Sequence, residues 1–249
     1  MRVHSGYKSI CMQLTINCDL GEGMGDDAAI MPFIQSANIA CGFHAGDMET
    51  MRSTIADCMQ HGVAIGAHPS FYDRENFGRK EFDLPVHELY ELMIQQLLLI
   101  NDMAESLGAL LQHVKPHGAL YNLAARDIIT ARCIARAVKD FDSRLILVGL
   151  SGSHAITEAA IMGLSTASEV FADRTYQDDG SLTPRTLPGA LITDAEQMLK
   201  QVDQIVKERT VTTLNGTIIP LHADTICIHG DGPHALTFAK AIHQSFFTA

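Results

Sequence analysis

The stretch Leu14-Thr15-Ile16-Asn17-Cys18-Asp19-Leu20 alternates apolar and polar side chains. Successive side chains of a strand point to opposite faces, so Ile16, Cys18 and Leu20 share one face and Asn17 and Asp19 the other. The alternation recurs down the chain. In residues 112–117 (QHVKPH), His113, Lys115 and His117 fall on one face, with Pro116 placed to bend the end of the strand. In residues 165–173, Glu169, Phe171 and Asp173 oppose Val170 and Ala172. In residues 224–231, Cys227, His229 and Asp231 oppose Ile226 and Ile228. One face of each strand is apolar, as a helix-covered sheet requires. The other turns polar and ionisable toward the C-terminal end.

Outward from these segments, Ala37–Cys41, Val63–His68 and Arg144–Leu150 are further strand candidates. Amphipathic patterns separate most of them. The clearest predicts a helix over Pro85–Leu107, where Leu89, Met93, Leu97, Ile100, Ala104 and Leu107 recur at helical spacing. Pro85 suits its first turn and Gly108 the left-handed residue past its end. Asp47 is a good N-cap for a helix that stops at Gly62. Further helices fit Asp127–Lys139, Ser153–Met162, Asp194–Arg209 and His234–Phe247. Strands separated by helices imply parallel pairing through right-handed crossovers, in an open doubly wound sheet or a barrel. No linker or compositional break divides the chain, so one domain is expected. The polar, proline-bearing stretch Arg174–Gly189 reads as an active-site loop.

The chain has 249 residues, 47% of them hydrophobic and 19% charged, enough for a sizeable core. A formal charge of −11 disfavours nucleic acid and anionic membrane as partners. Six cysteines with no C-x-x-C pair read as reduced thiols, and Cys18, Cys41 and Cys227 as buried small hydrophobes. Residues 1–12 lack the apolar core of a signal peptide, and no run approaches a membrane span. A cytoplasmic location is expected.

In parallel α/β folds the C-terminal strand ends gather at one rim, where ligands bind. Burying so many ionisable groups without function would cost several kcal/mol each unless all were paired. Asp19, Glu22, Glu169, Asp173 and Asp231 are candidate proton acceptors or metal ligands. His44, His68, His117 and His229 are candidate bases or ligands near neutral pH. Lys115, Arg174 and Arg79 are the natural cations for a substrate carboxylate or an oxyanion. P-loop, G-x-G-x-x-G, G-x-S-x-G and H-E-x-x-H motifs are absent. A divalent metal held by His44, His68 and Asp19 is an open alternative that spacing does not test.

Ordered blocks carry a resemblance across residues 14 to about 235: N-C-D-L-G-E-G (17–23), S-A-N-I-A-C-G-F-H-A-G-D (36–47), G-V-A-I-G-A-H-P (62–69), H-V-K-P-H-G-A-L-Y-N (113–122), E-V-F-A-D-R (169–174) and T-I-C-I-H-G-D (225–231). The chain resembles the LamB/YcsF family. The resemblance implies an irregular seven-stranded (β/α) barrel of the glycoside hydrolase/deacetylase type over residues 14–249, with residues 1–13 as an N-terminal extension. It also implies ATP-dependent opening of 5-oxo-L-proline to L-glutamate, with two other 5-oxoprolinase subunits as partners and ATP as co-substrate. ATP would then be handled by those partners, which fits the missing P-loop. On this reading Asp19, His44, Lys115 and His117 carry the chemistry. Asn17, Asn38, His68, Glu169, Asp173, Arg174 and His229 hold the substrate. Two rivals are a metal-dependent amide or acetyl hydrolase acting on a sugar derivative and a non-catalytic lactam-binding subunit.

Overall fold

The computed structural model describes residues 14–23, 27–230, 232 and 234–247. The expected N-terminal extension (residues 1–13) and the candidate acid Asp231 lie outside the described residues. Strands β1 (Thr15–Leu20), β2 (Ser36–Ala40), β3 (Ala64–His68), β4 (His113–Val114), β5 (Ile146–Leu150), β6 (Ser165–Phe171) and β9 (Thr225–His229) close into a seven-stranded barrel. All seven pairings are parallel. Strand β9 seats between β6 and β1, with Asp19 level with His229 and, on the other side, with Asn38. That closure decides between the open sheet and the barrel.

The helices are α1 (Asp27–Ile30), α2 (Met48–His61), α3 (Val86–Ser106), α4 (Gly118–Arg126), α5 (Ile128–Phe141), α6 (His154–Ile161), α7 (Ala195–Glu208) and α8 (Ala235–Phe246). Asp47 caps α2 by accepting from the Thr50 amide at 2.8 Å, and Gly62 ends it in the left-handed region at φ 68°. Pro85 occupies the N-cap of α3 rather than its first turn, and Gly108 turns left-handed just beyond its end. Helix α4 and the antiparallel hairpin β7 (Thr210–Thr212)–β8 (Ile218–Pro220) add to the expected elements. Residues 174–194 are largely irregular, tied by bridges between Arg174 and Leu191 and between Tyr176 and Leu182. Among the described residues no helix is long and apolar enough to cross a membrane.

The apolar strand faces, including Ile16, Cys18, Ile39, Ala67, Val114, Leu147, Val170, Ile226 and Ile228, are buried in the hydrophobic core. The barrel interior is polar and wired by hydrogen bonds. Asn17 donates to Thr225 Oγ1 at 2.9 Å, and Asn38 donates to Asn17 Oδ1 at 2.7 Å and to Asp19 Oδ1 at 2.8 Å. His113 Nε2 donates to Asn38 Oδ1 at 2.8 Å, so its ring is the Nε2–H tautomer. Burial pushes the His113 pKa down to about 4, helped by Lys115. Its ring packs against Gly66, where a Cβ would fall inside the imidazole. Gly66→Ala therefore has to displace His113 and break its bond to Asn38. A loss of about 1–3 kcal/mol is expected for such overpacking, read as a lower urea midpoint at unchanged slope. An unchanged midpoint would show that the ring is free to move.

Candidate functional site

Strand β4 stops after two residues because Pro116 has no N–H to continue the ladder. The backbone nevertheless stays docked on the end of β3. The Lys115 amide donates to Ala67 O at 2.9 Å and the His117 amide to Pro69 O at 2.8 Å. Alternate residues keep their direction past the strand end, and Lys115 and His117 both reach the rim. Lys115 Nζ sits 2.7 Å from Asp19 Oδ1, 2.8 Å from Glu169 Oε1 and 3.0 Å from Cys227 Sγ. Burial alone would lower its pKa, but Asp19 and Glu169 outweigh it and hold the ammonium well above its ordinary value. Burial likewise raises the Asp19 carboxyl, but positive charge, with the Lys115 ammonium in direct contact, more than reverses this and leaves it well below the usual carboxylate range. The pair is thus ionised at neutral pH inside the barrel mouth.

Beside this pair, four buried side chains from separate segments converge: Glu22 after β1, His44 after β2, His68 at the end of β3 and His117 after Pro116. His44 and His117 stack with ring centroids 3.9 Å apart, and His68 meets His117 edge-on at 4.7 Å. Burial first, then neighbouring histidines, pushes His44 and His117 well below the ordinary imidazole value, so both are neutral at pH 7. Gly78, at φ +66°, lets the loop after β3 lie over this cluster, because a Cβ there would crowd Ser70, His117 and His44. Three imidazoles and a carboxylate are a donor set suited to a borderline divalent cation such as zinc.

On the far side of the rim, His229 Nδ1 donates to both Asp173 oxygens at 3.0 and 2.9 Å, and its ring stacks on Phe171. Burial raises the Asp173 carboxyl, but His229 outweighs it and the net shift is downward. Arg174 turns into the loop that follows. Its Nη2 donates to Thr183 O at 2.5 Å and its Nε to Ala190 O at 3.3 Å, so much of the guanidinium is committed to holding residues 174–190. Burial, and then Arg185, lowers the Arg174 pKa to about 10.

A cleft of about 640 Å³ opens over the rim, lined by Asp19, Glu22, His68, Lys115, His117 and His229 at its floor. Arg79, Arg126, Arg174 and Arg185 also line it. Asn17, Asn38, His44, Glu169 and Asp173 do not line the cleft. Asn38, level with Asp19 on the neighbouring strand, orients it through its hydrogen bond, and Asn17, deeper in the barrel, accepts from Asn38. Glu169 sits behind Lys115, fully buried. Of the residues expected to hold the substrate, His68, Arg174 and His229 line the cleft, and Asn17, Asn38, Glu169 and Asp173 stand behind its lining. In the open alternative of a metal held by His44, His68 and Asp19, the two histidines group with Glu22 and His117, and Asp19 stands 3.4 Å from His68 Nε2. Cys227, read as a small hydrophobe, is buried in the hydrophobic core, and its Sγ also meets Lys115 Nζ at 3.0 Å. Its parity with His229 was the available signal. Tyr121 on α4, whose ring lies 5.9 Å from Lys115 Nζ, had no such signal.

A closed parallel barrel with ionisable side chains crowding the C-terminal strand ends is the architecture of an α/β-barrel enzyme. The LamB/YcsF family model matches residues 14–249, and this chain belongs to that family. The chain is 52% identical over 234 residues to a 5-oxoprolinase subunit of Bordetella pertussis, covering 92% of this chain and 93% of the other. A 5-oxoprolinase subunit of Bordetella bronchiseptica matches to the same extent. The crystal structure of a lactam utilization protein from Thermus thermophilus is 40% identical with a TM-score of 0.87, over 94% of this chain and 97% of that one. A protein of Enterococcus faecalis, at 13% identity and a TM-score of 0.57 over 93% of this chain and 94% of that one, shares the fold alone.

Proposed function

We propose that this chain is one subunit of an ATP-dependent 5-oxoprolinase and that its rim cleft receives 5-oxo-L-proline or its O-phosphorylated form. The reading is carried by one observation: an ionised, buried Asp19–Lys115 pair at the floor of a cleft lined by arginines. The relatives' names point to the same substrate class. A five-membered lactam resists hydrolysis because amide resonance and easy reclosure oppose ring opening. Phosphorylation of the amide oxygen by ATP removes that resonance and leaves the ring carbon electrophilic. Water adds to the carbon, the ring nitrogen departs as an amine carrying a proton, and a second water releases phosphate from the resulting acyl phosphate. Glutamate, ADP and phosphate account for all atoms. ATP is taken up with the partner subunits.

Asp19, anchored by Asn38, accepts the proton of the attacking water. Lys115 stabilises the oxyanion formed when the hydroxyl added from water gives its remaining proton to the departing ring nitrogen. Of its present partners the Cys227 thiol is the weakest acceptor, so a substrate oxygen replaces that contact at least cost. The cleft arginines take the substrate carboxylate, with Arg174 also holding the loop that carries Arg185 across the opening. A divalent cation bound by Glu22 and the histidines would supply Lewis-acid polarisation near the same floor. The test mixes the purified chain with the two partner subunits, 5-oxoproline and ATP, and follows glutamate with each component omitted in turn. Glutamate that requires this chain and ATP is the expected result. Glutamate formed at the same rate without this chain would refute the assignment.

A further inference from the structure

The tautomers of two buried histidines are fixed by carbonyl oxygens, which only accept. His68 Nδ1 donates to Lys115 O at 2.7 Å, and His117 Nε2 donates to Phe77 O at 2.9 Å. With those nitrogens protonated, His68 Nε2 and His117 Nδ1 both present lone pairs, and these two atoms face each other at 2.8 Å. Two neutral imidazoles cannot hydrogen-bond in that arrangement, and their lone pairs repel. Something positive belongs between them. Carbonyl acceptors on the far ring nitrogens are also the usual outer-shell support of histidine metal ligands.

The remaining neighbours stand at distances that suit convergence on a shared centre. His44 Nε2 lies 3.4 Å and His117 Nδ1 3.5 Å from Glu22 Oε1. Strong hydrogen bonds between such groups would be shorter. Ligand atoms about 2.0–2.1 Å from a tetrahedral zinc are roughly 3.3 Å from one another. The four donor atoms all lie within 4.8 Å of each other and are buried. The donor set includes one carboxylate, Glu22, and a second, Asp19, lies 3.4 Å from His68 Nε2. A second grouping, Asp19 with Cys227 and His229, meets the same distance limit but already holds the Lys115 ammonium against two of its members. We infer that Glu22, His44, His68 and His117 form a binding site for one divalent transition-metal ion of the zinc class, with Asp19 poised beside it. This inference stands whatever the substrate.

The experiment strips the full chain with chelator, confirms its fold by circular dichroism, and titrates it with Zn²⁺ by calorimetry and with Co²⁺ by visible absorption. One ion per chain, a cobalt spectrum with imidazole ligands in low coordination, and a raised melting temperature are expected. His68→Gln, His117→Gln and Glu22→Gln should each weaken binding by more than the roughly 10–100-fold that outer-shell changes cost. His154→Gln, on the outer helix α6, should leave it unchanged. The melting temperature of each metal-free variant separates misfolding from lost ligation. A folded wild-type chain that binds neither ion, or binding indifferent to all three ligand variants, overturns the inference. So does a shared imidazolium proton between His68 and His117, seen by nitrogen-15 NMR, that persists at saturating Zn²⁺.

Discussion

Lys115→Met is expected to cost about 3–5 kcal/mol of folding stability and, in the reconstituted complex, at least about 10²–10³ in turnover. The stability loss follows from what the ammonium holds apart. With Nζ gone, Asp19 and Glu169 face one another in a site where neither has enough water to stay charged alone, and one must take up a proton. Methionine fills most of the lost volume, so the effect is electrostatic rather than a cavity. Lys115→Arg should not rescue turnover. Its planar fork cannot occupy a point shared by Asp19 Oδ1, Glu169 Oε1 and Cys227 Sγ at 2.7–3.0 Å. Urea unfolding and glutamate release check the two halves separately. If the methionine variant turned over at close to the wild-type rate while folded, Lys115 would be a structural counter-ion and the oxyanion would need another partner.

The barrel was half legible in the sequence. Strand parity alone placed Asp19, Lys115, Glu169 and His229 on one side of the sheet, because a two-residue period leaves no freedom once one face must be apolar. Whether the sheet closed was not readable that way. It depends on β9 returning to pair with both β6 and β1, a tertiary fact without local signature. The resemblance supplied that expectation. Parity also could not separate residues that face the cleft from residues one layer below. Asn17 and Asp19 share a face, yet the first is sealed inside the barrel and the second lies at its mouth. The histidine cluster was the hardest to foresee. His44 and Glu22 follow strands rather than belong to them, and the loop conformations at Gly21, Gly42 and Gly46, all left-handed, decide where those side chains go. Helix α4 was hidden for a simpler reason, since it begins directly after the rim histidine with a glycine, Gly118 at φ 55°, that reads as a turn.

Asp19→Asn should leave the fold nearly intact and lower turnover by about 10²–10⁴, the range for loss of a positioned general base. The amide is isosteric. Its oxygen can still accept from Lys115 and from Asn38, as Asp19 Oδ1 does at 2.7 and 2.8 Å. Its NH₂ would then face His68 Nε2, 3.4 Å from the present Oδ2, where a lone pair is available. Glu169 remains to balance Lys115. What is lost is the proton acceptor. The pH dependence of stability gives an independent check. The folded Asp19 carboxyl titrates well below its ordinary value, so its contribution is present above about pH 4 and disappears as pH falls toward the depressed folded value. The asparagine variant should lack that contribution and show a shallower acid limb in urea titrations at successive pH values. Full turnover in the variant would move the base to another group at the cleft floor. An unchanged acid limb would mean that the Asp19 carboxyl is not held down by its neighbours. Full turnover and an unchanged acid limb together would leave Lys115 with Glu169 as its working partner and make Asp19 part of the barrel's internal wiring alone.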